Sequence, residues 1–418
     1  MNIKVVSINY YPELTGIGKY NGEMCPWLVE AGDEVSLICA PPYYPEWKVH
    51  SGYSGKSFSS AVEYGVEVTR CPLFVPIVPS TLKRLLHLAS FAMSSSWALF
   101  RKWSDRPDVL VVVEPTLFTV PSVLLYCRLF GIKSVLHIQD FEVDAMFGLG
   151  MAGNQSGLVA RFAFTIERWL MKKFDAVSTI SYSMMDKARS KGVSDEKLIF
   201  FPNWSDTSFV NPDVDGSVLR EAWGVKKSDK VVLYAGNIGA KQGLELVIKA
   251  ASRYRSREDV KFFMVGSGAH VDYLRALASE QELTNIAFMP LQAWEDVPAM
   301  LSTADVHLVV QRKGAADAVL PSKLTNILSV GGHAVVTAEA ETELGKLAEE
   351  YPGIYTCVEP ENIDAFCEGL DRELKSTGVN SVARKYAEQH LNKDAILNRF
   401  RRDLYNLVGK EVIEVKQS

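Results

Sequence analysis

The 418-residue sequence has no apolar run that could cross a bilayer, because no uninterrupted apolar stretch reaches the roughly 20 residues that a membrane span needs. A strand pattern starts at once, at residues 3–8, so we expect no signal peptide before the fold. Basic residues are not in excess, since the net charge is −5. We therefore do not expect nucleic-acid binding to be the main task.

Cysteine is scarce and scattered. The six cysteines have neither the paired spacing of a zinc site nor that of a redox motif. Most lie within apolar runs, which is typical of buried, reduced thiols in the cytosol. They are Cys25, Cys39, Cys71, Cys127, Cys357 and Cys367.

Short apolar strands alternate with helical patterns in both halves of the chain. In the first half, the strand at 3–8 leads into a loop with Gly16 and Gly18 and then into a helix. In the second half, the strand at 231–235 is followed by a glycine-rich loop at 236–243. Strand, glycine turn and helix open a doubly wound parallel sheet, so we predict an α/β chain.

The length of the chain favours two domains. We assign an N-terminal domain to residues 1–205 and a C-terminal domain to residues 206–380, with a polar linker at 205–216. The last long amphipathic stretch, 381–408, is predicted to be a helix that packs back across the first domain. The loop with Gly16 is not a dinucleotide fingerprint, because the third glycine is missing.

Residues 311–332 contain the strongest candidate for an anion site. Pro321 suits the first turn of a helix, and two glycines suit its end. The backbone N–H groups of Ser322, Lys323 and Leu324 would then point outward from a helix start, which attracts phosphate. The alternative is a surface turn with one solvated lysine.

Polar side chains crowd the end of the predicted strand at 134–138. His137, Asp140, Glu142 and Asp144 could form a polar floor for a sugar or a proton acceptor for an incoming hydroxyl. The alternative is a helix start enriched in acids. A metal site is disfavoured, because a strand end cannot aim all four side chains at one point.

An aromatic loop follows the second predicted strand, at residues 40–47. Ligands bind at the carboxyl ends of parallel strands in such folds, which is where this loop lies. Tyr43 and Tyr44 could stack on a sugar there, although a packed loop is the commoner arrangement.

Residues 73–103 combine apolar bulk with cations and tryptophans at the ends. This pattern is typical of an interfacial helix that lies on a membrane, and also of a buried crossover helix. A later predicted helix carries Arg161, Arg168, Lys172 and Lys173, which we interpret as a solvated face.

Several longer motifs resemble those of the retaining glycosyltransferase family four, whose members share the GT-B arrangement of two Rossmann-like, doubly wound domains facing each other across a cleft. Within that family, the resemblance is to fucosyltransferases of colanic-acid synthesis. It covers nearly the whole chain and rests on residues 12–20, 40–45, 79–88, 137–140, 200–205, 236–239 and 314–328.

The resemblance implies roles for individual residues. Donor binding would fall to Gly16, Gly236, Asn237, Lys241, Gly266, Ser322, Lys323, Leu324 and Asn326. The catalytic residues would be His137, Asp140, Lys241 and Lys323, and the acceptor side would include Tyr43, Tyr44, Gln139 and Glu142. Two lysines and a helix dipole could neutralise the departing diphosphate, so no metal or other cofactor is expected.

The chain departs from the family at the ribose site. Many members carry two glutamates eight residues apart, the second at the position of Asn326 and the first near Ala318. A carboxylate can hold both ribose hydroxyls, whereas an asparagine amide can accept one hydrogen bond and donate another. Asp317 is the remaining candidate for the role of the first glutamate.

The resemblance implies transfer of L-fucose from GDP-L-fucose to a polyprenyl-diphosphate-linked sugar in exopolysaccharide assembly. The enzyme would be cytoplasmic and peripheral on the inner face of the cell membrane, with residues 73–103 bringing it to a lipid-borne acceptor. Two alternatives stay open: transfer of an N-acetylated amino sugar from a UDP donor, and a non-catalytic protein that binds a nucleotide-sugar or a polysaccharide. A glycogen-type phosphorylase is disfavoured, because no lysine context for pyridoxal phosphate stands out.

Overall fold

The computed structural model describes residues 1–13, 16–77, 80–102, 104–115, 117–141, 143–144, 157–313 and 321–412, apart from the side chains of Thr81, Val159 and Lys241. The chain forms two units. One comprises residues 1–202 together with the segment from residue 397 onward, and the other comprises residues 203–396. Each unit is built on a mainly parallel sheet with helices, which confirms the predicted α/β class.

The first unit contains an eight-stranded sheet. Its strands are β1 (Asn2–Val6), β2 (Glu34–Cys39), β3 (Ser59–Glu63), β4 (Val66–Arg70), β5 (Val109–Glu114), β6 (Lys133–Ile138), β7 (Ala176–Thr179) and β8 (Leu198–Phe200). They lie in the order β3-β4-β2-β1-β5-β6-β7-β8, and only the β3–β4 pair is antiparallel among the described pairs. The central strand β5 is buried along its whole length, because both faces of such a strand are covered.

In the described part of the first unit, five α-helices connect these strands. They are α1 (Gly16–Glu30), α2 (Thr81–Arg101), α3 (Val120–Phe130), α4 (Leu158–Met171) and α5 (Tyr182–Ser190). Their ends follow from local chemistry. The hydroxyl of Ser181 accepts a hydrogen bond from the N–H of Met184 and so caps α5. Gly131 ends α3 with a left-handed φ of 67°, which glycine adopts readily.

The second unit contains a six-stranded parallel sheet. Its strands are β9 (Lys230–Ala235), β10 (Val260–Val265), β11 (Ile286–Met289), β12 (Val306–Val309), β13 (Ala334–Thr337) and β14 (Thr356–Val358). They lie in the order β11-β10-β9-β12-β13-β14. The direction of the connections reverses at β9, as in Rossmann-type sheets. Ligands bind outside the carboxyl ends of the strands at such a reversal.

Helices flank this sheet as well. They are α6 (Ser217–Ala222), α7 (Glu245–Arg253), α8 (Val271–Glu280), α9 (Val297–Ser302), α10 (Ser322–Ser329), α11 (Glu343–Glu350), α12 (Ile363–Glu373) and α13 (Ser381–Tyr386). The stretch 205–216, which the sequence suggested as a linker, is part of this unit: Val210 within it is fully buried in the core.

The stretch predicted as one helix at 381–408 is divided in the structure. A π-helical turn at Ala387–Leu391 separates α13 from the last helix, α14 (Lys393–Val408). From residue 397 onward, α14 belongs to the first unit.

A buried carboxylate holds α14 in the first unit. Arg401 and Tyr405 each donate a hydrogen bond of 2.6 Å to Asp33, which directly precedes β2. The amino group of Met1 pairs with the same carboxylate at 2.9 Å. Because the partners of the Asp33 charge among the described residues come from a chain terminus or from α14, the two ends of the chain stabilise each other.

The loops after β9 and β10 touch through their backbones. Gly236 and Gly266 directly follow these strands, with φ of 139° and 149°. A Cβ on Gly266 would lie 1.9 Å from the carbonyl oxygen of Gly236, so only glycine fits there. The backbone of Gly268 approaches Ile238 in the same way. This contact fixes the shape of both loops at the carboxyl edge of the sheet.

We expect Gly266→Ala to destabilise the second unit strongly, because the added methyl group must displace the backbone at Gly236. Gly224→Ala is the matched control: Gly224 also has a positive φ, 69°, but a Cβ there would meet nothing within 4 Å. In urea titrations, Gly224→Ala should lower the unfolding free energy by about 1 kcal/mol. Gly266→Ala should lower it several times as much. Equal losses would mean that this backbone contact does not hold the loops.

Candidate functional site

Lys323 is the centre of the site in the second unit. It is the second residue of α10, and its Nζ donates a hydrogen bond of 2.8 Å to Oη of Tyr234. Tyr234 is fully buried in β9, and the same Nζ lies 4.0 Å from the centre of its ring. A Cβ placed on Gly236 would be 3.4 Å from Nζ, so the lysine also lines the glycine loop after β9.

The Lys323 ammonium lacks a compensating carboxylate within the described part of the chain. It is partly buried, and burial lowers its pKa to about 7. Its hydrogen bond and its cation–π contact are both with Tyr234, a neutral side chain whose own pKa is raised by burial. A lysine in this setting gains most from an anionic ligand, which would restore its charged form.

The loop after β9 is shaped around the same tyrosine. Tyr234 Oη donates a hydrogen bond of 2.6 Å to the carbonyl oxygen of Asn237. The structure therefore brings together four of the residues that the sequence assigned to donor binding, namely Lys323, Gly236, Asn237 and Gly266. The sequence analysis did not identify Tyr234. The feature that could have identified it is a residue with a hydroxyl group close to the carboxyl end of an apolar strand.

A short turn at Ala240–Gln242 carries Lys241. The side chain of Lys241 lies outside the described part of the chain, and so do Asp317 and Ala318, the positions considered for the first family glutamate. Their predicted roles stay predictions.

The start of α10 offers fewer free donors than the sequence suggested. The N–H of Leu324 donates a hydrogen bond of 2.8 Å to the carbonyl oxygen of Pro321, and the Leu324 side chain is fully buried. Leu324 is therefore not a phosphate donor. The N–H groups of Ser322 and Lys323, together with the exposed side chain of Ser322, are the remaining candidates at this helix start.

The amide oxygen of Asn326 is only partly open to a ribose. Its Oδ1 accepts a hydrogen bond of 2.9 Å from the hydroxyl of Ser205. This hydrogen bond uses one of the two lone pairs of the amide oxygen, so Asn326 keeps one acceptor position and its amide N–H groups for a ribose.

Glu13 organises the loops of the first unit and was missed in the sequence. Its buried carboxylate accepts hydrogen bonds of 2.8 Å from the N–H groups of Tyr43 and Tyr44, and one of 2.7 Å from Asn9. Burial raises its pKa, and these hydrogen bonds oppose the rise. Gly18 packs directly on it, since a Cβ there would be 2.6 Å from Cβ of Glu13. Glu13 thus joins the loops that follow β1 and β2.

Tyr43 does not face a ligand. Its side chain is buried, with its ring 4.7 Å from that of His87 and 5.8 Å from that of Trp47. The packed-loop alternative is correct for this residue. Tyr44 is 40% exposed and stays available to a sugar. Gly16 is exposed at the start of α1, with a φ of 55°.

His137 has the environment of a structural residue rather than of a general base. It lies in β6 and is buried; its Nδ1 is 2.9 Å from the hydroxyl of Ser178, and its Nε2 is 2.9 Å from Nε2 of Gln139. Its ring packs on Phe201 at 4.9 Å. Burial lowers its pKa to about 3, so the imidazole is neutral and a poor proton acceptor at neutral pH. Gln139 is likewise engaged in holding this ring.

The other acids after β6 have separate surroundings. Asp140 is exposed, and Glu142 lies outside the described residues. Asp144 pairs with Lys187 at 2.8 Å and with Lys191 at 2.6 Å, which holds its pKa below the usual range despite partial burial. Within the described residues, no group of three His, Cys, Asp or Glu side chains could hold a metal ion.

Family models match both halves of the chain. Residues 15–204 match the model described as a glycosyl transferase 4-like domain, and residues 217–390 match the model described as glycosyl transferases group 1. WcaI of Escherichia coli strain K12, described as a glycosyl transferase of colanic acid biosynthesis, is 52% identical over 97% of this chain and 100% of its own.

Solved structures with low sequence identity share the fold. Sucrose-phosphate synthase from Thermosynechococcus elongatus superposes with a TM-score of 0.74 at 15% identity, covering 97% of this chain and 99% of its own. Anabaena HepE, solved in complex with UDP and glucose, gives a TM-score of 0.67 at 14% identity over 96% of this chain and 99% of its own. The predicted fold and family are confirmed: the chain belongs to glycosyltransferase family four and has the GT-B fold.

Proposed function

We propose that this glycosyltransferase moves L-fucose from GDP-L-fucose to a polyprenyl-diphosphate-linked sugar in the assembly of a colanic-acid-like exopolysaccharide. The observation that carries the proposal is the partly buried Lys323 ammonium, which has no carboxylate partner among the described residues and lines the glycine loop at Gly236. A nucleoside diphosphate supplies the missing negative charge. The 52% identity to WcaI supports the colanic-acid context.

In this proposal, Lys323 acts on the leaving group. As the bond between sugar and diphosphate breaks, negative charge grows on the departing oxygens, and a fixed cation stabilises it. The N–H groups of Ser322 and Lys323 add the positive end of the α10 dipole. Lys241 remains the predicted second cation, and we propose that the reaction needs no metal or other cofactor.

The alternative donor is a UDP-sugar, such as a UDP-linked N-acetylated amino sugar. It is favoured by the fold neighbour HepE, which was solved with UDP and glucose. The hydrogen bond at Asn326 does not distinguish the two donors, because the residue would contact the ribose, which GDP and UDP share.

We also propose that the enzyme works on the cytoplasmic face of the cell membrane through residues 73–103. The helix in this segment, α2, buries Phe91 and Leu99 and exposes Leu82, Leu86, Met93 and Trp97. Within the described residues, none of the helices is both long enough and apolar enough to traverse a bilayer. A polyprenyl acceptor would meet the enzyme at the membrane surface.

Donor choice can be tested by thermal shift with GDP-L-fucose, GDP-mannose, UDP-glucose and UDP-N-acetylglucosamine. A ligand at 100 times its Kd stabilises its protein by about 2.7 kcal/mol, so we expect a clear rise in Tm with GDP-L-fucose. Without an acceptor, we also expect the enzyme to hydrolyse GDP-L-fucose slowly and release GDP. GDP and UDP alone are the controls for base recognition. Shifts with UDP-sugars only would rule out the proposed donor.

The role of Lys323 can be tested with Lys323→Met. Losing a charged hydrogen bond to the diphosphate costs about 1.5–3 kcal/mol, so we expect Kd for GDP-L-fucose to rise by roughly 10- to 100-fold. Unfolding free energy should not fall, because the variant no longer buries a cation. Lys249→Met, which removes an exposed lysine of α7, is the matched control and should change neither quantity. Unchanged affinity in Lys323→Met would contradict the assignment.

The lowered pKa of Lys323 predicts a pH dependence of donor binding. The diphosphate binds the protonated amine, so affinity is full below the free-protein pKa of about 7 and is lost as pH rises through it. We expect calorimetry between pH 6 and 8.5 to show Kd rising above pH 7, by at most about tenfold per pH unit. Lys323→Arg keeps its charge and should flatten the profile. A flat wild-type profile would contradict the lowered pKa.

A further inference from the structure

Three helices of the first unit expose large apolar side chains in stripes. In α2, Leu82, Leu86, Met93 and Trp97 are spaced by four, seven and four residues, so they share one side of the helix. In α4, Leu158, Phe162, Ile166 and Trp169 are spaced by four, four and three. In α3, Leu125 and Leu129 are spaced by four. The exposure is large: 82% for Leu158, 76% for Met93 and 68% for Phe162.

These helices lie side by side on one face of the sheet. The connections β4 to β5, β5 to β6 and β6 to β7 all run in the same direction along the strand order, and right-handed crossovers then place their helices on the same face. Direct contacts agree. Ser96 of α2 donates a hydrogen bond of 2.7 Å to Ser122 of α3. Leu117, just before α3, packs against the small buried cluster that contains Ala160 of α4 and Val143.

The charge on these helices has one sign. Although the chain carries a net charge of −5, the sequences of the three helices contain a single acidic residue, Glu167. That carboxylate is fully buried and paired with Lys191, so it does not face solvent. The exposed cations on and directly after the helices are Lys83, Arg101, Lys102, Arg128, Arg161, Arg168, Lys172 and Lys173.

α2 and α4 end in the same way. In α2, the guanidinium of Arg101 lies 5.0 Å from the ring centre of Trp97, which is half-exposed. At the end of α4, Nζ of Lys173 lies 5.5 Å from the ring centre of Trp169, which is also half-exposed. A tryptophan with a cation over its ring suits the boundary between lipid headgroups and acyl chains. There the ring can contact the acyl chains while the cation stays among headgroups and water.

We propose that the exposed face of α2, α3 and α4 is a docking surface for an anionic lipid bilayer, with α4 as a second interfacial helix beside α2. This proposal rests on the membrane association proposed above and adds α4 to the membrane-binding surface. From the sequence alone, the basic residues of α4 were interpreted as a solvated face. Apolar stripes flanked by cations are typical of helices that lie in the interface of anionic membranes.

The single sign of charge selects lipid over a second copy of this chain. A twofold dimer through this face would set the same cations against one another, because both partners of such an interface use the same patch. Anionic headgroups instead complement Arg161, Arg168 and Lys172. The stripe of α4 would then enter the acyl boundary.

Vesicle sedimentation of the full chain tests this proposal. The probes are vesicles of phosphatidylcholine alone and of phosphatidylcholine with phosphatidylglycerol. We expect binding to the anionic vesicles only. Replacing Arg161, Arg168 and Lys172 together by glutamine should weaken it on the order of 100-fold. Phe162→Ser/Trp169→Ser should weaken it at least about tenfold. Tyr273→Ser/Leu291→Ser, which changes exposed apolar residues of the second unit, is the control and should bind like the wild type.

The outcomes separate this inference from the proposed function. If Met93→Ser/Trp97→Ser in α2 releases the protein from vesicles while both α4 variants bind normally, α4 is not a membrane element. If the α4 variants instead abolish a concentration-dependent dimer in light scattering, the occupant of this face is a second copy. GDP-L-fucose hydrolysis in solution should be unchanged in every α4 variant. If the wild type does not hydrolyse GDP-L-fucose either, the donor assignment is wrong, and the vesicle result still tests membrane binding.

Discussion

The site in the second unit depends on one contact, the seating of the Lys323 ammonium against Tyr234. A lysine is seldom removed from water without a carboxylate, and burial here lowers its pKa to about 7. The hydroxyl of Tyr234 accepts one hydrogen bond from it but does not neutralise it. The fold therefore holds a cation that is incompletely solvated and incompletely paired, and a diphosphate relieves both conditions.

The backbone around this contact leaves little freedom. Gly236 and Gly266 meet so closely that no side chain fits at Gly266, and Tyr234 donates a hydrogen bond to the carbonyl group of Asn237. Because these loops follow neighbouring parallel strands, the sheet itself aligns them. In the first unit, a buried side chain rather than a backbone contact holds neighbouring loops together. There the buried carboxylate of Glu13 gathers the N–H groups of Tyr43 and Tyr44.

Patterns along the chain were sufficient to predict the α/β class and the family. They also assigned Lys323 and the glycine loop after β9 to one site, but they did not include Tyr234. Strand periodicity and glycine position are local properties, and the motifs of the family are long. Side-chain direction is not local. Whether His137 in β6 faces the core or a ligand depends on which neighbours cover it, and here Phe201 and Ser178 do. Tyr43 is buried for the same kind of reason.

Other differences arose from contacts between distant residues. Ser205 donates a hydrogen bond to the amide oxygen of Asn326 across 121 positions of sequence, and Asp33 draws in Arg401 from near the end of the chain. The stripes of α4 were overlooked because its cations were judged without Leu158, Phe162 and Trp169 between them. In each case the role of a residue depends on a partner that is distant in sequence or on neighbouring residues that were not considered with it.

A measurement of the pKa of Lys323 itself is the sharpest test of its role at the donor site. NMR of protein labelled with ¹³C and ¹⁵N in lysine, assigned with Lys323→Arg, reports the titration of each ammonium group. We predict a pKa near 7 for Lys323 in the free enzyme, and a rise of about one unit or more when GDP-L-fucose is bound. An ordinary lysine pKa in the free enzyme, unchanged by the nucleotide-sugar, would show that Lys323 does not bind the diphosphate.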